Sequence, residues 1–219
     1  LYRNSQLGDT AFGAGPFPTA TLMPQVLTEL RREHPNVALR VEVGNWAQLL
    51  DRLRTEDVEF FVSEGRDLPH DPALELRALG RQRGRFYARA GHPLARRRSC
   101  TLSEAWAYGV ASTRLPDVVV AALAALLGLA AGEVPRLALQ CDDVAVLRAI
   151  ALATDTVLAV TDASVRADLK SGALKALRVA ELPETYSDMR IVSLRNRTPS
   201  PMAQRAIACI ERVAAAVGG

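Results

Sequence analysis

Residues 22–45 read LMPQVLTELRREHPNVALRVEVGN, and this stretch decides the fold class. Its first half spaces apolar residues three and four apart from Leu22 to Leu30, which predicts a helix that Pro35 ends. Its second half, VALRVEV, alternates apolar and polar residues, which predicts a strand with one buried face that Gly44 ends. A helix followed directly by a strand is part of a βαβ unit, so the stretch predicts an α/β fold.

The segments on either side of this stretch complete the unit. Upstream, DTAF at 9–12 predicts a strand, and a turn with two prolines leads from it into the helix. Downstream, Asn45 can cap a helix whose apolar positions run from Trp46 to Leu53, and VEFFV at 58–62 predicts the next strand. The order βαβαβ favours a parallel sheet.

The same alternation resumes after a stretch of loop residues. RFYAR at 85–89 and VLAV at 157–160 predict further strands, and TLSE at 101–104 predicts a capping box at the start of a helix. The last predicted pair is the strand MRIVSL at 189–194 and a helix that Pro201 begins. A βαβαβ lobe has room for one more strand and helix, so we expect this pair to return to the first lobe.

These elements predict two lobes. We expect residues 9–79 and 185–219 to form one lobe and residues 80–184 to form the other. Two α/β lobes joined by two crossing strands would leave a cleft between them, with the ends of parallel strands and the starts of helices facing it. Small molecules bind at such places.

The longest apolar run lies in the predicted second lobe. It reads VVVAALAALLGLAA and extends from Val118 to Ala131. A membrane-spanning helix needs about 20 residues, so the run is too short to cross a bilayer. We expect a buried helix instead, and no association with a membrane.

Composition excludes several classes of function. Lys and Arg number 27 against 24 Asp and Glu, and this net charge of +3 suits solubility as readily as nucleic-acid binding. The cysteines are far apart and odd in number, and the histidines lie in loops without metal-ligand spacing, which predicts solvated turns. The residues concerned are Cys100, Cys141, Cys209, His34, His70 and His92. No nucleophile or dinucleotide motif is complete. We therefore expect no enzyme, no metal site, no cofactor and a cytoplasmic location.

Three segments together resemble the effector-binding domain of LysR-type transcriptional regulators. They are residues 22–45, AGHPLA at 90–95 after RFYAR, and VEFFVSE at 58–64. The resemblance spans essentially the whole chain. It implies two Rossmann-like lobes joined by two crossover strands, as in type II periplasmic binding proteins.

The resemblance also implies a function. A small-molecule effector would bind in the cleft between the lobes and alter how the regulator holds DNA. DNA would be bound only through a winged helix-turn-helix domain that precedes this domain and is absent from the chain. The regulator would be a homodimer or homotetramer. A periplasmic solute-binding protein of a transporter is the alternative with the same architecture.

The family draws its effector contacts from four places, which the resemblance carries onto this sequence. They are the turn before the first helix, the residues after the second strand, the end of the strand before the long loop, and a strand-to-helix turn of the second lobe. The candidate effector-binding residues are Phe17, Thr19, Thr21, Asn45, Trp46, Ser63, Asp142 and Asp143.

Each candidate also has an ordinary structural role. Thr19 and Thr21 are expected near the unpaired N–H groups at a helix start, where their hydroxyls either bind an anion or cap the helix. Asn45 is a cap or an effector contact. Phe17 and Trp46 either line the cleft or belong to the core.

The two aspartates differ from the simplest expectation of an anionic effector. Asp142 and Asp143 lie together at a helix start, so one of them is expected to cap that helix. The other, if it faces the cleft, would favour a ligand with an amine or hydroxyl groups.

Overall fold

The structure is a computed structural model that describes residues 8–217. The strands are β1 (Thr10–Ala14), β2 (Leu39–Val43), β3 (Phe60–Glu64), β4 (Leu74–Arg89), β5 (Val110–Ser112), β6 (Leu139–Gln140), β7 (Val157–Thr161), β8 (Leu174–Ala176) and β9 (Thr185–Leu194). The helices are α1 (Pro16–Thr21), α2 (Met23–Glu33), α3 (Trp46–Arg54), α4 (Leu102–Ala107), α5 (Asp117–Leu126), α6 (Val144–Ala153), α7 (Arg166–Ser171) and α8 (Pro201–Val217). Short 3-10 turns lie at Pro93–Arg96 and Asp162–Val165.

The chain divides into two compact units. The first contains the residues up to Arg81 and those from Asp188 onward, and the second runs from Gln82 to Ser187. The chain passes from one unit to the other within β4 and again within β9. The mixed α/β architecture predicted from residues 22–45 is confirmed.

The first unit is built on strands in the order β2-β1-β3-β9. β1 pairs in parallel with β2 and β3, as βαβαβ connections require, whereas β9 runs antiparallel to β3. Residues alternate between the faces of a strand, so Phe60 and Phe61 contribute to different apolar clusters. Phe60 stacks on Phe12 at 4.9 Å between ring centres, in the cluster that also contains residues of α2 and α8.

The second unit is built on strands in the order β4-β7-β5-β6, with β8 paired to β4. β5 is parallel to β6 and β7, whereas β4 is antiparallel to β7. The capping box predicted at TLSE is confirmed, because Thr101 and Glu104 each accept a hydrogen bond from the other's backbone N–H. This cap begins α4, and its residues Leu102 and Ala105 enter the apolar core.

The apolar run at Val118–Ala131 departs from the prediction of a buried helix. α5 ends at Leu126, and within α5, all of which the structure describes, only Leu123 is buried. Val118 is 57% exposed and Leu126 is 39% exposed. A helix that is apolar on every side has no polar face to mark its solvent side, so its sequence could not show which residues lie at the surface.

The prediction of a solvated turn is wrong for His92. Its side chain is fully buried, where Nδ1 accepts a hydrogen bond from the Leu94 N–H at 3.0 Å and Nε2 lies 3.0 Å from the Asp155 carbonyl. The ring also meets the edge of Tyr108. Since buried polar groups need partners, His92 is an internal cap of the turn at Pro93–Arg96.

A search of the described residues for a helix able to span a membrane finds none. The same part of the chain contains no cluster of His, Cys, Asp and Glu suited to a metal ion.

Candidate functional site

The carboxyl ends of three neighbouring parallel strands meet at one edge of the first unit. β1 lies between β2 and β3, so the residues that follow these strands are neighbours. The Gly15 N–H donates to the Val62 carbonyl at 2.7 Å, and the Gly44 N–H donates to the Ala14 carbonyl at 3.3 Å. We call this place the strand-end edge. In parallel α/β sheets, ligands bind outside the carboxyl ends of the strands.

Six of the eight predicted site residues are placed around this edge. Phe17, Thr19 and Thr21 are in α1, which follows β1. Asn45 and Trp46 follow β2, and Ser63 is the next-to-last residue of β3. Candidates that are far apart in sequence therefore lie in the same part of the first unit.

The helix start at this edge differs from the expected one. α1 begins at Pro16, directly after Gly15, because proline is favoured at the first helical position. Prolines have no N–H, so Phe17 carries the one N–H among the first three residues of α1. The Thr19 N–H already donates to the Gly15 carbonyl at 2.9 Å. The predicted set of several unpaired N–H donors is therefore wrong, and an anion would find few of them here.

The two threonines lie in the second half of α1 rather than at its start. The Thr19 hydroxyl donates to the Ala14 carbonyl at 3.3 Å, and the Thr21 hydroxyl donates to the Phe17 carbonyl at 2.8 Å. Both side chains are partly exposed. A hydroxyl whose hydrogen is engaged still has oxygen lone pairs, so each threonine can accept a hydrogen bond from a ligand.

Asn45 caps α3, as the sequence predicted it could. Its Oδ1 accepts from the N–H groups of Ala47 and Gln48, each at 3.1 Å, and the Gln48 side chain accepts from the Asn45 N–H. These bonds use Oδ1 and leave the amide NH₂ for another partner. Trp46 begins α3 and packs against the apolar cluster that contains Leu49 and Phe61. It is partly exposed, so it contributes both to the core and to the surface of this edge.

Ser63 is the most deeply buried of the six. It is 2% exposed, and its hydroxyl donates to the Glu64 carbonyl at 3.1 Å. Glu64 itself accepts from the Asp188 N–H at 2.9 Å and pairs with Arg66 at 2.8 Å. A buried serine beside a fully bonded carboxylate provides a fixed polar position at the end of β3.

The two predicted aspartates lie in the second unit and have different partners. Asp143 caps α6 by accepting from the N–H groups of Ala145 and Val146 at 2.8 and 3.2 Å. Asp142 accepts from the Arg114 N–H at 3.3 Å. The prediction that one of the pair is a helix cap is confirmed for Asp143.

A buried polar cluster at the end of β7 was missed. The Thr161 hydroxyl donates to Gln82 Oε1 at 2.9 Å and lies 2.7 Å from the Ser164 hydroxyl. Thr161 and Gln82 are 1% and 3% exposed. The sequence could have indicated Thr161 by its position, because Thr161 directly follows the predicted strand VLAV just as Ser63 directly follows VEFFV.

An ion pair beside this cluster is internally satisfied. Arg85 contacts the Asp162 carboxylate through Nε and Nη2 at 2.7 and 2.9 Å, and the Tyr87 hydroxyl donates to the same carboxylate. Burial, with Asp162 as the second cause, raises the pKa of Tyr87 far above its usual range. The group joins β4 to the turn after β7, and the Tyr87 hydroxyl keeps its proton near neutral pH.

Comparison with known proteins identifies the family. The model of the LysR substrate binding domain matches residues 4–215. The chain is 33% identical over 200 residues, or 90% of its length, to the SDS degradation transcriptional activation protein of a Pseudomonas species. It is 28% identical over 207 residues, or 92% of its length, to the HTH-type transcriptional regulator GalR of Pseudomonas putida. The chain spans 64% and 50% of the lengths of these two relatives.

Solved structures share the fold at lower identity. The regulatory domain of MexT, a transcriptional activator in Pseudomonas aeruginosa, aligns with a TM-score of 0.72 and 18% identity, over 94% of this chain and all of that one (100%). The effector binding domain of QuiR in complex with shikimate aligns with a TM-score of 0.70 and 16% identity, over 95% and 98% of the two chains. With the family match over nearly the whole length, these similarities show that the chain belongs to the LysR substrate-binding domain family, the effector-binding domains of LysR-type transcriptional regulators.

Proposed function

We propose that this domain senses a small-molecule effector for a transcriptional regulator, and that the effector binds at the strand-end edge. The observation that carries the proposal is the meeting of three parallel strand ends, which gathers Phe17, Thr19, Thr21, Asn45, Trp46 and Ser63 at one edge. Asp142 and Asp143 remain the proposed contacts of the second unit. The whole regulator would bind DNA through a domain outside this chain and would work in the cytoplasm. The relatives are transcriptional regulators, so a transporter's solute-binding protein is not favoured.

The chemistry of the edge favours an effector with one polar end and an apolar body. Two threonine oxygens, the Asn45 amide and the Ser63 hydroxyl supply neutral hydrogen-bonding groups. Phe17 and Trp46 supply partly exposed aromatic surface. Since prolines remove N–H donors from the start of α1, the site does not depend on a strong anion at that position.

The names of the relatives suggest two probes, one with an apolar body and one without. A short alkyl sulfate matches the SDS degradation activator and has an apolar chain. Shikimate, which binds the QuiR domain, is a hydroxylated carboxylate with little apolar surface. If the aromatic side chains cover an apolar body, the alkyl sulfate should bind more tightly.

Tryptophan fluorescence provides the test. The chain contains two tryptophans, Trp46 and Trp106, and Trp106 lies in the second unit, where its Nε1 donates to the Arg136 carbonyl at 3.1 Å. In a Trp106→Phe background, Trp46 reports on the edge alone. We expect the alkyl sulfate, the probe used below, to change this fluorescence. The double substitution Thr19→Ala and Thr21→Ala should weaken its binding by about 1 to 3 kcal/mol.

A matched control uses a threonine away from the edge. Thr28→Ala removes a hydroxyl that likewise donates to a carbonyl four residues earlier, here that of Pro24 at 2.7 Å. Its affinity for the probe should equal that of the unsubstituted chain. If the double threonine variant binds the probe as tightly as the unsubstituted chain, α1 is only a structural connection. If neither probe changes the Trp46 fluorescence, the proposed effector class is wrong.

We further propose that the regulator is a homodimer or homotetramer. The exposed apolar face of α5 supports contact with a second copy, since exposed apolar patches commonly mark interaction sites. For the matching surface we propose α2, the first long helix. In α2, however, Leu30 is buried within its own unit, which leaves Leu27 and the polar residues beside it for a partner.

A further inference from the structure

A second polar site lies in the second unit, outside the candidates considered so far. It is a pocket of about 380 Å³ between the turn at Pro93–Arg96 and the chain that follows β8. Arg97, Arg98 and Arg178 line it, and the rest of its wall is apolar. No carboxylate side chain contributes to the lining.

Backbone hydrogen bonds hold the two sides of this pocket together. The Cys100 N–H donates to the Arg178 carbonyl at 2.9 Å, and the Ala180 N–H donates to the Cys100 carbonyl at 3.1 Å. Cys100 and Leu177 are buried, whereas Arg98 and Arg178 are exposed. The buried side chains anchor the two segments, so the guanidinium groups are presented from a fixed backbone.

The arginines of the pocket differ in how they are neutralised. Arg97 contacts both oxygens of Glu104 at 2.7 and 3.3 Å, and this contact lowers the pKa of Glu104 below its usual range. Within residues 8–217, no carboxylate lies within ion-pair distance of Arg98 or Arg178. The exposed cations Arg96 and Lys175 precede them on the two segments and are likewise unpaired there. The pocket and the residues just before it thus present four exposed cations that no carboxylate neutralises in this part of the chain.

We propose that this basic pocket adds contacts to phosphates of the DNA backbone, without reading base sequence, so that the domain outside this chain is not the sole contact with DNA. Guanidinium groups match phosphate geometry with paired hydrogen bonds. An exposed arginine holds a single free anion weakly because water and salt screen it, whereas a polyanion gains from every cation along the surface and releases its counterions. The choice of DNA among polyanions rests on the proposed function, because a transcriptional regulator works on DNA.

The test measures binding of the 219-residue chain to a fluorescent, random-sequence DNA duplex across a series of salt concentrations. The variant carries Arg98→Gln and Arg178→Gln. The control carries Arg32→Gln and Arg205→Gln, which remove two exposed arginines from α2 and α8 in the first unit. Each phosphate contact contributes about 0.9 to the slope of log affinity against log salt, so the pocket variant should lose about 2 from the slope. At low salt its affinity should fall about tenfold or more, with the control unchanged.

Three outcomes would overturn the proposal. Equal losses in both variants would assign binding to diffuse positive charge. Displacement of the duplex by inorganic phosphate, beyond the effect of chloride at the same ionic strength, would assign the pocket to a small anion. Absence of duplex binding at low salt would remove its basis.

The fluorescence response of Trp46 separates this proposal from the proposed function. Arg98→Gln with Arg178→Gln should leave the response to the alkyl sulfate intact. Loss of DNA binding with an intact response therefore concerns the pocket alone, whereas loss of the effector response in the threonine variant concerns the strand-end edge alone.

Discussion

Gly15 lies so close to Ser63 that a Cβ on Gly15 would come within 3.1 Å of the Ser63 Cβ and 3.3 Å of its Cα. The Gly15 backbone has φ −71° and ψ 175°, which any residue can adopt. Glycine is therefore favoured at this position because of the close contact and not because of its backbone conformation. The contact places the turn after β1 directly against the end of β3, so a change at Gly15 acts on the proposed effector site.

We predict that Gly15→Ala disturbs the site more than the fold. The added methyl group must displace Ser63 by a few tenths of an ångström, which should cost about 1 kcal/mol of unfolding free energy and weaken probe binding. Gly13→Ala is the comparison, because its Cβ would lie 2.7 Å from Leu49 Cδ2 and 2.8 Å from Phe61 Cβ inside the core. That variant should lose about 1 to 3 kcal/mol. Urea unfolding and the Trp46 titration measure the two effects, and unchanged affinity in folded Gly15→Ala would place the effector elsewhere.

The cap and ligand roles of Asn45 can be separated by substitution. Asn45→Ala removes the cap acceptor of α3 and should cost about 1 kcal/mol, whereas Asn45→Ser retains an acceptor and should cost only a few tenths. If the Asn45 amide also contacts the effector, the serine variant should be nearly as stable as the unsubstituted chain but bind the probe more weakly. Native affinity in Asn45→Ser would restrict Asn45 to capping.

Thr101→Ala is the control for Asn45. It removes the corresponding cap of α4 in the second unit, so it should lower stability by a similar amount. Its Trp46 titration should match that of the unsubstituted chain, since Thr101 is not among the residues of the strand-end edge.

Features of the fold that depend on neighbours in sequence could be predicted. The capping box at Thr101 and Glu104 forms because the two residues are three positions apart on one helix start. The parallel pairing of β1, β2 and β3 follows from helices that connect consecutive strands. Local spacing determines such features, and the sequence displays it.

Features that depend on distant partners could not be predicted. His92 is buried because the Asp155 carbonyl and the Tyr108 ring lie against it, and neither is near it in sequence. The donor-poor start of α1 was in principle visible from Pro16 and Pro18, but the helix had been expected to begin later. For the candidate site, sequence and resemblance identified the strand ends and the cap at Asn45, whereas the carbonyl partners of the Thr19 and Thr21 hydroxyls could be seen only in the structure.

Cys209 predicts a loss of stability at high pH. Burial, together with the nearby Glu29 carboxylate at 3.6 Å, raises the pKa of the Cys209 thiol from 9.0 to about 11. A raised pKa means that the fold favours the neutral thiol. This contribution is complete below about pH 9, where the unfolded thiol is also neutral, and is lost as the pH rises towards 11.

Cys209→Ala should therefore flatten the decline of unfolding free energy between these pH values, although the lost side-chain volume lowers stability at every pH. Urea unfolding just below pH 9 and near pH 11 measures the difference. Part of the decline should persist, because burial also raises the pKa of Cys100 and of Tyr87. Cys141→Ala, at a partly exposed thiol, is the control, and an unchanged slope in Cys209→Ala would contradict the prediction.

The exposed face of α5 predicts how the domain assembles. Val118 and Leu126 are 57% and 39% exposed on a helix that contains no polar residue after Asp117. Burying such a surface between two copies removes apolar area from water, at about 25 cal/mol for each Å². Val118→Lys with Leu126→Lys should abolish this gain, because a charged lysine must lose its bound water when it is buried in an interface, and that loss costs free energy. Light scattering should then report the mass of one chain for the variant and of two for the unsubstituted chain.

Val134→Lys, at a residue 69% exposed in the loop between α5 and β6, is the control and should leave the dimer intact. A monomer for the unsubstituted chain at tens of micromolar, or a dimer for the double variant, would show that α5 does not form the contact.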